Sequence, residues 1–210
     1  GRCRSACQGS TFPGQVPGRF AWLMLTDEGY GYLPITKVDP ATLGTFSCGK
    51  PRLDDFLTAQ ALTLHEARLG FTNVAFHQHF EGPVGYFTLA NDAIKLNNSE
   101  KFDLGVYEHI ELAAFPAVKI GRLAVHQDLQ RTGVGAALMA LLLGDILNTA
   151  GLSAARLIVV DADNDEAVLG FYRKLGFEVS LWAEEMAKNH TKKRTQPATI
   201  KMHRDVFKDL

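Results

Sequence analysis

The chain has 210 residues, 46% of them hydrophobic, and a formal net charge of −1 at neutral pH. This length suits one domain with a sizeable core, and the balanced charge excludes a protein that is strongly basic over its whole surface. Cys3, Cys7 and Cys48 form neither a metal-binding pattern nor an even set for disulfides, which favours a reducing, cytoplasmic setting. No apolar run approaches the roughly 18 residues of a membrane span, so no membrane contact is expected.

Residues 1–22 are rich in Gly, Pro, Arg and Ser and show neither helical nor strand periodicity. This composition predicts a flexible N-terminal leader. Because the sequence begins with Gly, part of the leader is a candidate for a non-native extension, and Met24 is a candidate natural start. Residues 23–210 are expected to form a single domain.

The first half of the chain predicts a strand, a helix and a β-hairpin. Apolar residues at helical spacing follow a turn at Ser47–Pro51, and Gly70 is expected to cap this helix. Glu81-Gly82-Pro83 separates two runs with strand character, which is a hairpin signal. The predicted strands are Tyr32–Val38, Phe71–Phe80 and Val84–Ala90.

The second half predicts alternating strands and helices. Gly133–Asn148 is apolar on almost every face, which predicts a central, buried helix that Gly151 ends. Ala183–Gln196 is predicted to be a polar, partly basic loop. The other predicted helices are near Tyr107–Ala113 and at Asp165–Leu175, closed by Gly176, and the strands are Val118–Val125, Arg156–Val160, Phe177–Trp182 and Ile200–Phe207. This order predicts an α/β (α+β) fold with a mixed sheet and helices on both faces.

The strongest functional signal is Gln130–Gly135 (QRTGVG), between a predicted strand and the long helix. The first N–H groups of a helix are unpaired and carry partial positive charge, so a glycine-rich helix start binds pyrophosphate. The motif is not a Walker A sequence, because no Gly-Lys-Ser/Thr follows, and it lacks the third glycine of the dinucleotide fingerprint. Taken alone, it is equally a turn that only starts a helix.

Two segments together resemble the GNAT superfamily of N-acetyltransferases. Gly121–Gly135 (GRLAVHQDLQRTGVG) is similar to motif A of that superfamily, and Asp161–Phe177, which contains FY followed by GF, is similar to motif B. Phe46–Ala61 also resembles a pattern of the acetyltransferase toxins of bacterial toxin–antitoxin modules. The resemblance covers about residues 30–206. It implies the GNAT fold, a mostly antiparallel mixed sheet flanked by helices, and acetyl-CoA as the cofactor.

The resemblance implies where acetyl-CoA would bind. The strand at Leu123, Ala124 and Val125 would run beside the pantetheine arm, and a β-bulge would separate it from the next strand and open the thioester cleft. A backbone N–H of this strand would polarise the acetyl carbonyl. The loop and helix start would hold the pyrophosphate, at Gln130, Arg131, Thr132, Gly133, Val134, Gly135 and Ala136.

The same resemblance implies that Tyr172 is the general acid. A phenol with a pKa near about 10 is protonated at neutral pH and can donate to the departing thiolate. The alternative is a core aromatic residue at a helix end. Asn164 is expected to contact the pantetheine region, but it lies eight residues before Tyr172 where seven is usual, so Asp165 is the alternative.

A general base would accept the proton of the substrate ammonium group. Glu111 is the preferred candidate, and Glu108, His109 and His126 are the others; each is also explained as a solvated surface group, and a water chain is a further alternative. His77 and His79 are expected to be exposed side chains, because no further ligand accompanies them, and no metal is expected.

Three hypotheses remain for the overall function. The first is acetyl transfer to a primary amine of a small molecule, such as an aminoglycoside or polyamine, by direct attack in a ternary complex, with Asp92, Glu108 and Glu111 holding a cationic acceptor. The alternative is toxin-type acetylation of aminoacyl-tRNA, which requires a basic face; the run Lys188–Arg194 is either a solvated loop or a site for an RNA or CoA phosphate. The third is a non-catalytic CoA-binding module. A homodimer is also an expectation from the resemblance.

Overall fold

The computed structural model of the chain describes residues 29–105, 110–148, 154–190 and 196–208. Within these ranges, seven strands form one sheet in the order β1-β2-β3-β4-β5-β7-β6. The strands are Tyr30–Pro34 (β1), Phe71–His77 (β2), Gly85–Ile94 (β3), Phe115–Val125 (β4), Leu157–Asp163 (β5), Glu178–Val179 (β6) and Thr199–Asp205 (β7). The helices are Pro40–Leu43 (α1), Pro51–Ala59 (α2), Ala61–Glu66 (α3), Asn98–Asp103 (α4), Val134–Asn148 (α5), Glu166–Lys174 (α6) and Leu181–His190 (α7). The predicted leader at 1–22 lies outside the described residues.

The sheet is mixed and mostly antiparallel. β1 to β4 pair antiparallel in chain order, and β7 pairs antiparallel with both β5 and β6. Only β4 and β5 are parallel in the described sheet, and α5 supplies the crossover that a parallel pair needs. The predicted fold class is confirmed.

Helices cover both faces of the sheet because neighbouring residues of a strand point in opposite directions. Tyr86 of β3 packs into a cluster with residues of α2 and α3, including Phe56 and Ala61. The next residue, Phe87, belongs to a second cluster on the opposite face with residues of α5 and α6. The face that carries α2 and α3 is called the α2 face here, and the opposite one is the α5 face.

Two boundaries in the first half differ from the prediction. β1 ends at Pro34 and a 3-10 turn, Ile35–Lys37, replaces its predicted end. The predicted long helix is divided into α2 and α3 by Gln60, whose φ is −122°. Arg68, with a φ of +56°, reverses the chain after α3, so Gly70 is not the capping residue.

The predicted final hairpin contains an unpredicted helix. β6 spans only two residues, and α7 occupies residues that were predicted as strand and loop, so that prediction was wrong. The physical reason is a buried carboxylate: Glu100 of α4 accepts hydrogen bonds from the N–H groups of Leu181 (2.8 Å) and Trp182 (3.2 Å) and thereby caps α7. These residues lie about eighty positions apart in the chain, so no local pattern announces the cap.

The irregular stretch before β4 also differs from the prediction. Of the predicted helix near Tyr107–Ala113, residues 107–109 lie outside the described residues, and 110–113 are not helical. A helix forms earlier instead, at α4, where Asn97 and Glu100 make a reciprocal capping box. In the described part of the chain, no helix is long and apolar enough to cross a membrane.

Candidate functional site

A gap opens in the sheet between β4 and β5. The two strands pair over only four rungs, from Ala117–Leu157 to Ile120–Val160. Beyond that point β4 pairs with β3 alone up to Val125, whereas β5 continues to Asp163 against β7. The register between β3 and β4 shifts at Thr88/Leu89, which leaves one extra residue on β4, and such a bulge increases local twist. The expected bulge is therefore present where the strands separate.

The predicted anion-binding loop lies at the end of β4. Arg131 and Gly133 have φ angles of +64° and +98°, and these two left-handed residues turn the chain into α5. The first hydrogen bond of α5 runs from Ala137 N–H to Gly133 O, at 3.0 Å. The N–H groups of the three preceding residues, 134–136, therefore have no partner within the helix. A side chain at Gly133 would meet open space, so the turn is accessible. This arrangement fits a pyrophosphate group.

Two loop side chains are used to hold the loop rather than to face a ligand. Gln130 Nε2 donates to Cys48 O at 2.8 Å and to Val125 O at 3.2 Å. Thr132 Oγ1 donates to Leu129 O at 2.7 Å. Cys48 itself is buried, and burial raises the pKa of its thiol to about 11, which agrees with a structural role.

Tyr172 lies where the strands begin to separate. It belongs to the buried cluster that contains Ile120 and Val160, the last rung shared by β4 and β5. Phe171 and Phe177 approach its ring edge-to-face, with centroids 5.1 and 5.4 Å away. Burial, together with the negative charge of Asp163, raises the pKa of Tyr172 to about 12. The phenol is therefore protonated at neutral pH, as a general acid requires.

The start of α6 separates the two candidates for the motif B position. Asp165 is the N-cap, and its carboxylate accepts from Ala167 N and Val168 N. Asn164 Nδ2 instead donates to Pro197 O at 2.9 Å and holds the segment that leads into β7. The position seven residues before Tyr172 is thus a helix cap, and a pantetheine contact for Asn164 stays a prediction.

Of the base candidates, the two that the structure describes, Glu111 and His126, make no recorded contact with Tyr172. Glu111 is exposed and precedes β4, whose first residue, Phe115, lies about 20 Å along the strand from the gap. His126 packs beside Phe80, with ring centroids 5.1 Å apart, and its Nδ1 accepts from Asp128 N. Glu108 and His109 lie outside the described residues. The general base stays a prediction, and the sheet geometry does not favour Glu111.

Charged side chains that the sequence analysis did not single out surround the gap on the α2 face. Asp163 accepts from Lys50 Nζ at 3.0 Å and Arg52 Nη2 at 3.4 Å, and Asp161 pairs with Lys119 and Lys201. The Arg122 guanidinium lies 3.5 Å from the centroid of the Phe56 ring. Basic groups outnumber acidic ones here: Lys50, Arg52, Lys119, Arg122 and Lys201 against Asp54, Asp161 and Asp163. Pairs such as Lys50–Asp163 join residues more than a hundred positions apart, so sequence spacing gives no sign of them.

Those charged groups expected at the acceptor site that the structure describes lie elsewhere. Asp92 pairs opposite Ala117, at the end of β4 away from the gap. Lys188, from the predicted basic loop, is in α7 and pairs with Glu184 at 3.5 Å, while residues 191–195 lie outside the described part. His79 is exposed beside His77, and no group of three or more metal-ligating side chains is assembled among the described residues.

Known proteins share this architecture. A family model described as an acetyltransferase (GNAT) domain matches residues 74–179. A protein named tRNA-acetylating toxin, from Mycobacterium tuberculosis (strain ATCC 25618 / H37Rv), is 30% identical over 146 residues, which are 70% of this chain and 82% of that protein. The solved structure of AtaTR bound with AcCoA is 21% identical, with a TM-score of 0.63, and the match covers 85% of this chain and 95% of that one. The structure of AtaT complexed with acetyl-methionyl-tRNA is 22% identical, with a TM-score of 0.62, and the match covers 81% and 93%.

Proposed function

From the premise that this chain belongs to the GNAT acetyltransferase family and is an acetyl-CoA-dependent N-acetyltransferase, we propose that its acceptor is the amino group of an aminoacyl-tRNA. The small-molecule amine that the sequence analysis preferred uses the same donor site. The acceptor side of the gap therefore decides between the two, and its charge favours the nucleic acid.

The donor side consists of the loop, the start of α5 and the free edge of β4. Acetyl-CoA supplies an acetyl thioester. We expect the N–H groups of Val134, Gly135 and Ala136, with the exposed Arg131, to bind its pyrophosphate. β4 loses its β5 partner after Ile120, so backbone groups of Leu123–Val125 are available to pair with an extended arm. Tyr172 keeps its proton at neutral pH and is suited to give it to the leaving sulfur.

The observation that carries the choice of acceptor is the basic lining of the gap. Five basic groups against three carboxylates, Asp54, Asp161 and Asp163, leave an excess of positive charge beside the site, despite the net charge of −1 for the whole chain. A polyamine or aminoglycoside is itself polycationic and would be repelled, whereas the phosphates of an RNA strand would be attracted. The relative named as a tRNA-acetylating toxin is consistent with this choice.

A direct assay tests the proposal. Purified protein would be incubated with labelled acetyl-CoA and bulk aminoacyl-tRNA, and acetyl transfer would be compared with that to a panel of polyamines, aminoglycosides and amino acid amides. We expect label on the aminoacyl group and at least about a 10²-fold lower rate for Tyr172→Phe, since general acid catalysis contributes this much. Transfer to a polyamine and none to tRNA would instead establish the small-molecule function.

Two controls make the result specific. Tyr172→Phe should retain its melting temperature and its affinity for acetyl-CoA, because the ring contacts with Phe171 and Phe177 do not involve the hydroxyl. Acetyl-CoA binding without turnover on any acceptor would support the non-catalytic module.

A further inference from the structure

Three basic side chains converge beside the gap on the α2 face: Lys50, Arg52 and Arg122, which we call the cation cluster. Lys50 and Arg52 stand at the start of α2, and Arg122 is on β4, opposite Thr88 at the bulge. The Arg122 guanidinium lies over Phe56, which follows Arg52 by one helical turn, so the two arginines share one side of α2. Burial and the charge of Arg52 both lower the pKa of Arg122, as expected for neighbouring cations.

A single carboxylate pairs with two members of the cluster. Asp163 Oδ2 lies 3.0 Å from Lys50 Nζ, and Asp163 Oδ1 lies 3.4 Å from Arg52 Nη2. These contacts cross the gap from the end of β5 to the start of α2. All three side chains are in contact with water, with 37% of Asp163, 55% of Lys50 and 74% of Arg52 exposed. Exposed ion pairs contribute little free energy, so a competing anion can replace the carboxylate.

The third member has no such partner. No hydrogen bond or ion pair to the Arg122 guanidinium is present among the described residues, and it lies over the face of Phe56. The guanidinium of Arg122 is half-buried and lies near two cations that already share one carboxylate. Together the three side chains form a site with unsatisfied positive charge. The site is next to the reacting region, because Asp163 is close enough to Tyr172 for its charge to affect the tyrosine pKa.

We propose that the cation cluster binds a phosphodiester group of the acceptor strand, and that Asp163 is an internal substitute for this group which the acceptor displaces. This inference rests on the proposed function and adds to it a defined phosphate position and a competing carboxylate. Asp163 lowers the positive charge of the free site and thereby weakens binding of polyanions. Removal of the Asp163 charge is therefore expected to strengthen acceptor binding, whereas a substitution inside a binding site usually weakens it.

The same phosphate chemistry has a second source, the phosphates of CoA itself. The position of Arg122 favours the acceptor, because it lies on the α2 face whereas α5 packs on the opposite face, but Lys50 is two residues from Cys48, whose carbonyl accepts from Gln130 of the pyrophosphate loop. Binding of acetyl-CoA and of RNA must therefore be measured separately for each variant.

The experiment measures binding without turnover. Fluorescence anisotropy gives the affinity of the full chain for uncharged tRNA and for a single-stranded CCA-ended oligonucleotide over a range of salt concentrations, and calorimetry gives the affinity for acetyl-CoA. The variants are Asp163→Asn, Arg122→Gln and Arg122→Lys. Glu166→Gln is the matched control, because Glu166 is an exposed carboxylate three residues from Asp163 that pairs with Arg173 within α6 and not with the cluster.

The expected pattern is specific. Asp163→Asn binds both RNAs about threefold more tightly at low salt, as the loss of one nearby charge in water predicts, and Glu166→Gln changes RNA binding much less. Arg122→Gln binds about fivefold more weakly with a salt dependence reduced by about one counterion, and Arg122→Lys recovers part of the loss. Acetyl-CoA affinity stays within about twofold for all four variants. Melting temperatures identify any variant that loses RNA affinity because it unfolds. If Arg122→Gln is such a variant, Arg122→Lys is compared with the wild type in its place.

Several outcomes would overturn the inference. These are unchanged or weaker RNA binding by Asp163→Asn, an equal gain for Glu166→Gln, absence of RNA binding by the unmodified chain, or an effect of Arg122 on acetyl-CoA alone, which would assign the cluster to the donor. The two proposals fail separately. If the protein acetylates aminoacyl-tRNA but RNA affinity is the same in all these variants, only the phosphate position is refuted. If RNA affinity changes as expected but no aminoacyl-tRNA is acetylated, only the proposed function is refuted.

Discussion

Gly135 lies against the ring of Phe171: a Cβ at Gly135 would be 3.3 Å from Phe171 Cε2. This contact joins the first turn of α5 to α6, and so connects the anion-binding loop with the helix that carries Tyr172. The absence of a side chain at Gly135 thus sets the distance between the two halves of the donor site.

Enlarging Gly135 should therefore affect catalysis more than stability. In Gly135→Ala the ring of Phe171 must move by a few tenths of an ångström, whereas Gly135→Val requires a larger shift that reaches the adjacent Tyr172. We expect a small change in kcat for the Ala variant and about a 10-fold or greater loss for the Val variant, since misplacement of a catalytic group is costly. Ala140→Val, at an exposed position of α5, controls for the helix propensity of valine. Equal kcat for Gly135→Val and the wild type would contradict this prediction.

Gly85 should tolerate no side chain. A Cβ at this position would lie 2.6 Å from Ala124 O and 2.7 Å from Leu138 Cδ1, and the backbone oxygen of a paired strand cannot move away freely. We expect Gly85→Ala to lower the free energy of unfolding by about 2 kcal/mol through overpacking, measured by urea denaturation. Gly144→Ala is the control: open space surrounds Gly144 in α5, and alanine there should add about 1 kcal/mol through helix propensity. A Gly85→Ala protein as stable as the wild type would show that the two strands separate easily.

Arg131 combines backbone strain with a functional charge. Its φ of +64° costs a non-glycine residue about 1 kcal/mol, so Arg131→Gly should leave the fold equally stable or up to about 1 kcal/mol more stable. The same change removes a cation from the loop, and we expect acetyl-CoA to bind about fivefold more weakly by calorimetry. Arg68→Gly provides the comparison, because Arg68 is also left-handed, with a φ of +56°, and lies between α3 and β2. If both variants weaken acetyl-CoA binding equally, the charge of Arg131 has no specific role.

The rate of turnover should not decrease at alkaline pH through ionisation of Tyr172. Burial and the charge of Asp163 raise the pKa of Tyr172 to about 12, so the protonated form persists well above the usual range of a tyrosine. With an amino acid amide as a stable acceptor, the rate should rise as the amine loses its proton near about pH 8 and then stay level to about pH 10. A decline centred between about pH 9 and about pH 10 that Tyr172→Phe abolishes would show that the tyrosine ionises normally.

Protonation of His203 should destabilise the fold in mild acid. His203 is buried, its Nδ1 has no hydrogen-bond partner in the described structure, and burial lowers its pKa despite the opposing charges of Glu100, Glu178 and Asp205. At and below a pH of about 6.5, the usual pKa of histidine, the unfolded chain binds a proton at this position more readily than the folded chain does. The free energy of unfolding therefore falls as the pH decreases through that value. Urea denaturation at about pH 7 and about pH 5 should show a larger loss for the wild type than for His203→Gln. Parallel losses would assign the acid sensitivity to other groups.

Local signals were sufficient to predict the loop around Gly133 and the helix α6, but not the charged contacts across the gap. The glycine spacing around Gly133 and the cap and closing glycine of α6 act within a few residues, so the sequence predicts the loop and the helix that carries Tyr172. By contrast, the cap of α7 by Glu100 and the contact of Asp163 with Lys50 depend on how distant strands are arranged. The alternation of β4 places Arg122 on one face, but only the packing of α2 shows that Phe56 covers it.

The four-rung junction between β4 and β5 has a consequence for how activity appears during synthesis. β1 to β4 are consecutive antiparallel neighbours and can pair as they leave the ribosome, whereas β5 needs the completed α5 crossover before it can dock. Tyr172 and the carboxylate that faces the cation cluster both follow this step in the chain. The gap between β4 and β5 is therefore not assembled in the nascent protein until its last third has been translated and packed. An enzyme that acts on the substrates of translation would thus complete its own synthesis before it becomes active.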